Sequence, residues 1–227
     1  MKEPTSLISR LTIIYFVFVF IEVIAEYLIY QPLIIIFKPF IPIILLLLYW
    51  LNSSKRQMLF ILSLFFSLIT NILFIPNSSK MIFFGIIAYA FHRIFLVILI
   101  YKTAKIKDHI PLIIGTIPFL LIFSYLFLET KNIPENSIFL ILFLNVLISI
   151  YAGIALSNYF MDDTKQNSIL LISALLFVML QFVVFIEKCY LINEYTNIFR
   201  PIAMSFNALA FFSYYKYVIN AEISNND

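Results

Sequence analysis

The stretch ILLISALLFVMLQFVVFIEK, residues 169–188, decides the fold of this chain. As an α-helix, a run of this length rises about 30 Å, which is the thickness of the hydrocarbon core of a bilayer. Residues 11–30, LTIIYFVFVFIEVIAEYLIY, form a second run of the same kind. Both runs predict transmembrane helices, and the polar residues inside them are exceptions that need a physical reason.

The composition of the whole chain has the same character. Of its 227 residues 63% are hydrophobic, with 26 Phe, 14 Tyr and only 3 Gly, and the mean hydropathy is +1.02. A water-soluble core of this size would be less apolar. Residues 43–50 and 174–180 are continuously apolar, whereas the strands of a porin-like barrel alternate apolar and polar residues. We therefore predict an all-α, polytopic membrane protein.

We predict one transmembrane domain over residues 1–227, built as a bundle of about eight helices. The predicted spans are 11–30, 33–51, 57–75, 81–101, 110–128, 138–160, 168–188 and 198–218. The connections are short and contain turn residues, as in Pro76–Ser79 and Asn132–Asn136. The first span is long and no small-residue cleavage site follows it, so we expect it to be retained rather than removed as a signal peptide.

The basic residues toward the two ends of the spans predict the orientation. One side has nine: Lys2, Arg10, Lys55, Arg56, Lys102, Lys105, Lys107, Lys165 and Lys216. The other has five: Lys38, Lys80, Lys131, Lys188 and Arg200. This bias favours both termini in the cytoplasm, with the chain in the cell (inner) membrane. The net charge of +3 arises in these loops, so it indicates topology and not a nucleic-acid partner.

Nine polar residues lie inside the predicted spans. They are Glu22, Glu26, Lys38, Asn71, His92, Arg93, Asn145, Gln181 and Asn207. Odd-numbered helices run outward and even-numbered ones inward, so the helical rise places all nine between mid-membrane and the non-cytoplasmic side. An ionisable group in hydrocarbon costs a few kcal/mol and usually faces a partner or a wet cavity. The pattern predicts a polar pocket that opens toward the outer half of the bilayer.

The charged members of this set suggest specific contacts. Glu22 and Glu26 are four residues apart on one helix face and repel each other unless a cation or a shared proton intervenes. Lys38, His92 and Arg93 are the available cations. We expect Lys38 and Arg93 to bind an anionic group or to pair with the two glutamates. The alternative for Lys38 is to extend its ammonium group to the membrane interface.

The uncharged members have a simpler interpretation as well. Asn145, Gln181 and Asn207 either line the pocket or hold neighbouring helices together through hydrogen bonds. Glu187 and Lys188, at the end of a span, are interpreted as interfacial residues. The chain has no Gly-rich phosphate loop and no His-x-x-x-His pair, and it contains two His and one Cys. We therefore expect no metal site and no cofactor.

Four short segments resemble the YhhN family of eight-helix membrane proteins. They are FKP at 37–39, SLITNIL at 67–73, FGIIAYAFH at 84–92 and ALLFVMLQ at 174–181. The first opens the second helix, and the third matches the family's Gly, aromatic and His pattern in the fourth helix. In the second and fourth segments the family has Gly-Asp and Ser-Asp pairs, where this chain has Asn71 and Gln181.

The resemblance implies a function in lipid metabolism, because the characterised YhhN proteins are lysoplasmalogenases. These hydrolases cleave the vinyl ether bond of lysoplasmalogens, which requires one acid to protonate the enol ether and another group to direct water. An amide keeps the hydrogen bonds of an acid but cannot supply that proton. The resemblance therefore implies either that Glu22 or Glu26, assisted by His92, has taken over the reaction, or that the chain binds a lysophospholipid or lysoplasmalogen without cleaving it.

Overall fold

A computed structural model describes residues 3–104, 106, 108–130, 137–191 and 194–224, with side chains from residue 6 onward. Four basic residues of the topology count, Lys2, Lys105, Lys107 and Lys131, lie outside the described residues, as does the loop Asn132–Asn136. Within the described residues the chain is helical and has no strand. The prediction of an all-α chain is confirmed.

Eight α-helices account for the fold, and each coincides with one predicted span. They are α1 (Glu3–Tyr27), α2 (Gln31–Asn52), α3 (Met58–Phe74), α4 (Ser79–Thr103), α5 (His109–Glu129), α6 (Ile138–Met161), α7 (Lys165–Phe185) and α8 (Thr196–Ser224). A π-helical turn, Ile186–Tyr190, continues α7. The main differences from prediction are at the chain ends, since α1 begins before residue 11 and α8 extends past residue 218.

Six of the helices are long and apolar enough to cross a bilayer, namely α1, α2, α4, α5, α6 and α7 with its π-turn. Helix α3 is apolar but has only 17 residues. Helix α8 has 29 residues and carries Arg200, Lys216 and Glu222, which lower its hydropathy. The fold is that of an integral membrane protein, in which α3 and α8 pack against these apolar helices.

The helix contacts close a ring. They run from α1 to α2, α3, α4, α6, α7 and α8, and α8 returns to α1. Helix α5 packs on α6, and few of its residues are buried, so it lies outside the ring. We call the end where α1 begins and α8 ends the termini end, and the end where α1 turns into α2 the far end.

Local sequence explains where several helices begin and end. Ser78, Asp108 and Thr164 cap α4, α5 and α7 by accepting hydrogen bonds from the backbone N–H groups of Met81, Ile110 and Asn167. Helix α1 ends at Tyr27, three residues before the predicted boundary, because Ile29 has a positive φ of 53° that an α-helix does not allow. Proline then opens α2, where its missing N–H costs nothing.

Small residues bring α5 and α6 close together. A Cβ atom on Gly153 would lie 2.0 Å from the Thr116 hydroxyl and 2.9 Å from its Cα, so only glycine fits there. Gly115 faces the Gly153 carbonyl in the same contact. Close backbone approach at small residues is a usual way to pack helices in lipid, where hydrophobic burial does not drive association. This contact attaches α5 to the ring.

Candidate functional site

Helices α1 and α2 are joined by a buried ion pair at the far end. The ammonium group of Lys38 donates to the Glu26 carboxylate over 2.6 Å, and the two residues are 9% and 2% exposed. Lys38 therefore does not extend to the interface. The prediction left several partners open for this lysine, and the structure places it on Glu26.

Glu22 lies one turn before Glu26 and is completely buried. Neither of its carboxyl oxygens has a hydrogen bond of standard geometry to a described residue. Lys38 and Glu26 are the charged groups close enough to act on it. The structure thus gives the two glutamates different surroundings, because Glu26 is bound directly to Lys38, whereas Glu22 lies beside that pair without a salt bridge in the described structure.

Asn71 brings α3 to the same place. Its side-chain N–H donates to the backbone carbonyl of Lys38 over 3.1 Å. Glu22, Glu26, Lys38 and Asn71 therefore meet where α1, α2 and α3 pack at the far end, and we call these four residues the far-end cluster. Neither glutamate makes a hydrogen bond to Asn71 or Gln181 within the described structure.

His92 and Arg93 lie midway along α4, inside the ring. The Nδ1 atom of His92 is 2.9 Å from the Ser63 carbonyl, and because a carbonyl only accepts, Nδ1 is the donor. In the neutral ring Nε2 is then an acceptor. Nε2 is buried and has no partner among the described residues. The ring packs against Phe211 with centroids 4.9 Å apart, so this acceptor is held inside the ring of helices.

Arg93 is fully buried between two aromatic rings. Its guanidinium carbon is 4.4 Å from the ring centroid of Phe177 and 4.8 Å from that of Tyr89. One Nη atom donates to the Tyr89 hydroxyl. The Nε and Nη1 donors have no partner, and no carboxylate of the described residues pairs with this guanidinium. Arg93 is thus a buried cation without a counter-ion.

The remaining predicted residues form weaker links. The Gln181 amide donates to the Asn145 carbonyl oxygen over 3.3 Å, which joins α7 to α6. The Asn145 side-chain N–H groups are buried without an acceptor in the described part of the chain. Asn207 is 9% exposed and precedes Ala208, whose carbonyl accepts from the Tyr15 hydroxyl over 2.8 Å. The nine predicted residues therefore form separate groups rather than one network.

The two best-defined cavities lie away from these groups. One is a groove of about 370 Å³ along the apolar surface of α1, lined by Thr12, Ile13, Phe16, Val17 and Phe20. The other, of about 190 Å³, lies at the termini end between α4, α6, α7 and α8 and includes Asn158 and Tyr217. Neither contains a predicted site residue, so the outward-facing pocket stays a prediction.

Sequence reasoning missed two buried carboxylates. Glu187, interpreted as interfacial, is 2% exposed and lies 3.1 Å from Arg200 Nε and 3.2 Å from Lys188 Nζ. The interpretation of Glu187 as interfacial did not include this burial or these ion pairs. Its position at the end of α7, with Arg200 at the start of α8, was the available signal, because neighbouring ends of consecutive helices lie close together.

The second is Glu222, which lies beyond the last predicted span. Its carboxylate accepts hydrogen bonds from the Tyr49 hydroxyl over 2.6 Å and from the Ser53 hydroxyl over 2.7 Å. Glu222 therefore joins the end of α8 to α2 at the termini end, opposite the far-end cluster. Only its spacing from the other polar residues of α8 could have suggested this role.

The fold and these groups define a polytopic helical membrane protein with ionisable side chains buried inside the bundle. The chain belongs to the YhhN family, whose model matches residues 33–216, from the start of α2 to within α8. No curated protein and no solved structure matches the chain. The match covers the four segments that suggested the family.

Proposed function

We propose that this protein binds a lysophospholipid-like amphiphile through its phosphate, at Arg93, and does not hydrolyse it. The observation that carries the proposal is the burial of Arg93 with two unpartnered N–H donors and no counter-ion among the described residues. A buried cation without a partner is costly, and a planar guanidinium with free donors suits a phosphate.

Two cations at the far end, buried Lys38 and partly exposed Arg200, support this choice by contrast. Lys38 has Glu26 and Arg200 has Glu187 as partners, so neither needs a ligand to balance its charge. Arg93 is the exception, and it lies halfway along the membrane-spanning length of α4. An anion that reaches this depth must arrive with an apolar body, because a free hydrated phosphate would have to cross hydrocarbon. A membrane lipid with one acyl chain fits that requirement.

The aromatic side chains around Arg93 suit the apolar part of such a ligand. Phe177 and Phe211 pack on each other and on His92. Their rings supply apolar contact area inside the ring of helices without adding charge. Because the side chains are closely packed here, binding would require neighbouring helices to separate, which lets a lipid enter sideways from the bilayer.

The absence of hydrolysis rests on the two amide positions. Asn71 donates a hydrogen bond to the Lys38 carbonyl, and Gln181 donates one to Asn145. In both contacts the amide donates, which an ionised aspartate could not do. The amides thus have structural roles in this chain in addition to lacking a proton that could be transferred.

An active hydrolase is the second candidate, and Glu22 is the observation that favours it. A buried carboxyl group without a hydrogen bond of standard geometry to the described residues could act as an acid, and the unpartnered Nε2 of His92 could accept a proton. In this alternative the lysoplasmalogenase reaction uses Glu22, Glu26 and His92 in place of the family's aspartates. Release of fatty aldehyde from a lysoplasmalogen distinguishes the two candidates.

The proposed location is the cell membrane, with both termini in the cytoplasm. Within the described structure, the side chains of Arg10, Lys55, Lys102 and Lys165 at the termini end form no salt bridge with a carboxylate. At the far end, Lys38, Lys188 and Arg200 all have carboxylate partners, and among the described cations there Lys80 is exposed without one. The unneutralised positive charge is thus concentrated at the termini end, which is the cytoplasmic pattern.

Lipid binding by the purified protein tests the proposal. We expect saturable binding of a fluorescent lysophospholipid, and weaker binding of a monoacylglycerol with the same chain, which lacks the phosphate. Arg93→Met should weaken lysophospholipid binding about 10-fold or more, the value of a lost charged hydrogen bond. Lys80→Met is the matched control and should bind normally. Equal binding of both lipids, or normal binding by Arg93→Met, would contradict the proposal.

A further inference from the structure

We propose that Glu22 is a binding site for one exchangeable proton inside the membrane-spanning part of α1, independent of the lipid site at Arg93. Glu22 and Glu26 have similar sequence surroundings and a spacing of one helical turn. Their roles differ, since Glu26 neutralises the charge of Lys38 and Glu22 binds the proton.

Charge counting is the first step of the argument. The far-end cluster contains two carboxyl groups and one cation, all at most 9% exposed. Lys38 donates to Glu26, so the charges of that pair balance each other. A second ionised carboxylate would be left without a counter-charge in a low-dielectric site, which is the arrangement that proteins avoid by binding a proton.

The neighbouring helices do not supply a second cation. Helix α1 packs against α2 and α8. The charged group that α2 directs at Glu22 is Lys38. On α8 the cation at the far end is Arg200, which is already bound to Glu187. Within the described structure Glu22 therefore has no positive partner of its own.

The hydrogen-bond geometry gives the same result. An ionised carboxylate accepts several hydrogen bonds when it is buried, as Glu222 does from Tyr49 and Ser53 at the other end of the bundle. Glu22 accepts none of standard geometry from the described residues. Glu222 thus has the hydrogen bonds expected of an ionised carboxylate, whereas Glu22 lacks them, as expected of a protonated carboxyl group.

A proton fits this position better than a metal ion or an organic cation. Glu22 lines neither of the two best-defined cavities, and its side chain is completely buried. No group of three His, Cys, Asp or Glu residues in the described chain could hold a metal ion. A proton needs no volume and no further ligands.

Infrared spectroscopy of the protein in lipid bilayers tests the inference directly. We expect a carbonyl band of a protonated carboxylic acid that shifts on exchange into D₂O and disappears in Glu22→Gln. The double variant Glu26→Gln/Lys38→Met, which keeps Glu22 and removes the cation beside it, should retain the band. Absence of the band from the native protein, or its loss in Glu26→Gln but not in Glu22→Gln, would overturn the assignment.

Thermal stability provides a second test with matched variants. Glu22→Gln replaces a neutral acid by a neutral amide, so its melting temperature should fall by no more than about 2 °C. Glu26→Gln leaves the Lys38 ammonium group without its partner and should lower the melting temperature by about 10 °C. The double variant Glu26→Gln/Lys38→Met removes both charges and should recover most of that loss.

The same measurements identify the opposite case. If Glu22→Gln is as damaging as Glu26→Gln and the added Lys38→Met restores both, Glu22 is an ionised partner of Lys38 and the inference fails. Loss of lysophospholipid binding in Arg93→Met has no bearing on these results, so the proton site and the proposed lipid site can fail separately.

Discussion

The ammonium group of Lys38 and the carboxylate of Glu26 lie 2.6 Å apart, although a helix boundary separates these residues along the chain. The contact ties the end of α1 to the start of α2 at the far end of the bundle. Arg93, in contrast, is completely buried and has no carboxylate partner in the described structure. The protein thus contains one buried cation that stabilises its fold and another that the fold leaves unbalanced.

This contrast predicts opposite stability effects for two similar substitutions. Lys38→Met removes the partner of Glu26 and should destabilise the protein by about 3 to 5 kcal/mol. Arg93→Met removes a desolvated charge that has no partner, so stability without ligand should be unchanged or higher by up to about 4 kcal/mol. Thermal unfolding in lipid-free detergent checks both values.

Exposed Lys80→Met serves as the reference for these measurements and should change stability by less than about 0.5 kcal/mol. A loss of stability in Arg93→Met as large as that in Lys38→Met would show that the guanidinium contributes to the stability of the fold without a ligand. The contacts of Arg93 with Phe177 and Tyr89 would then be the main reason for its burial, and the lipid proposal would lose its support.

Apolar length was enough to predict the fold. Each of the eight predicted spans coincides with a helix, because a helix that crosses hydrocarbon must satisfy its own backbone groups and so leaves a continuous apolar run in the sequence. The Glu22–Glu26 spacing and the depth of Lys38 likewise placed these three residues near one another. Positions within one helix follow from the spacing of residues in the sequence and the fixed rise of the α-helix.

Pairings between helices were not predictable in the same way. They depend on how each helix is rotated, and an almost uniformly apolar helix gives little indication of its rotation. Sequence alone therefore left open which cation meets Glu26, and gave no sign that Gln181 would meet Asn145 on α6. The ion pair of Glu187 was not predicted for a related reason, because its partner Arg200 belongs to the next helix.

The contact between Tyr49 and Glu222 predicts the stability of the termini end. The Tyr49 hydroxyl donates to Glu222 and accepts from the Gln57 backbone N–H over 2.7 Å. Tyr49→Phe leaves both groups without this partner and should cost about 1 to 3 kcal/mol. Tyr101→Phe is the control, because Tyr101 is 54% exposed. Thermal unfolding of both variants measures the difference, and equal stability would mean that water replaces the hydroxyl.

The distribution of basic residues predicts which ends of the helices labelling reagents can reach. In a Cys189→Ser background, Ser54→Cys reports on the termini end and Ser79→Cys on the far end, and both positions are exposed. Neither change alters the basic residues that set the topology. With intact cells, a membrane-impermeant maleimide should label Ser79→Cys and not Ser54→Cys. The reverse pattern would invert the orientation and move the far-end cluster to the cytoplasmic half.

The two amides predict how hydrolysis could be restored. The native protein should release little or no fatty aldehyde from a lysoplasmalogen, and Asn71→Asp combined with Gln181→Asp should produce measurable release. A protonated aspartate at 71 could keep the hydrogen bond to the Lys38 carbonyl and would also supply a transferable proton. General acid–base assistance is worth about 10² to 10⁴ in rate for each group, so the gain should exceed the background rate.

The control for added charge is Asn207→Asp, which introduces a carboxyl group on α8 at a position where the resemblance implies none. This variant should release no fatty aldehyde. Each single variant, Asn71→Asp or Gln181→Asp, should release much less aldehyde than the double variant, because one carboxyl group cannot both protonate the enol ether and direct water. Rapid aldehyde release by the native chain that is lost in Glu22→Gln would instead show that the acid function has moved to α1, and the proposal of binding without hydrolysis would be wrong.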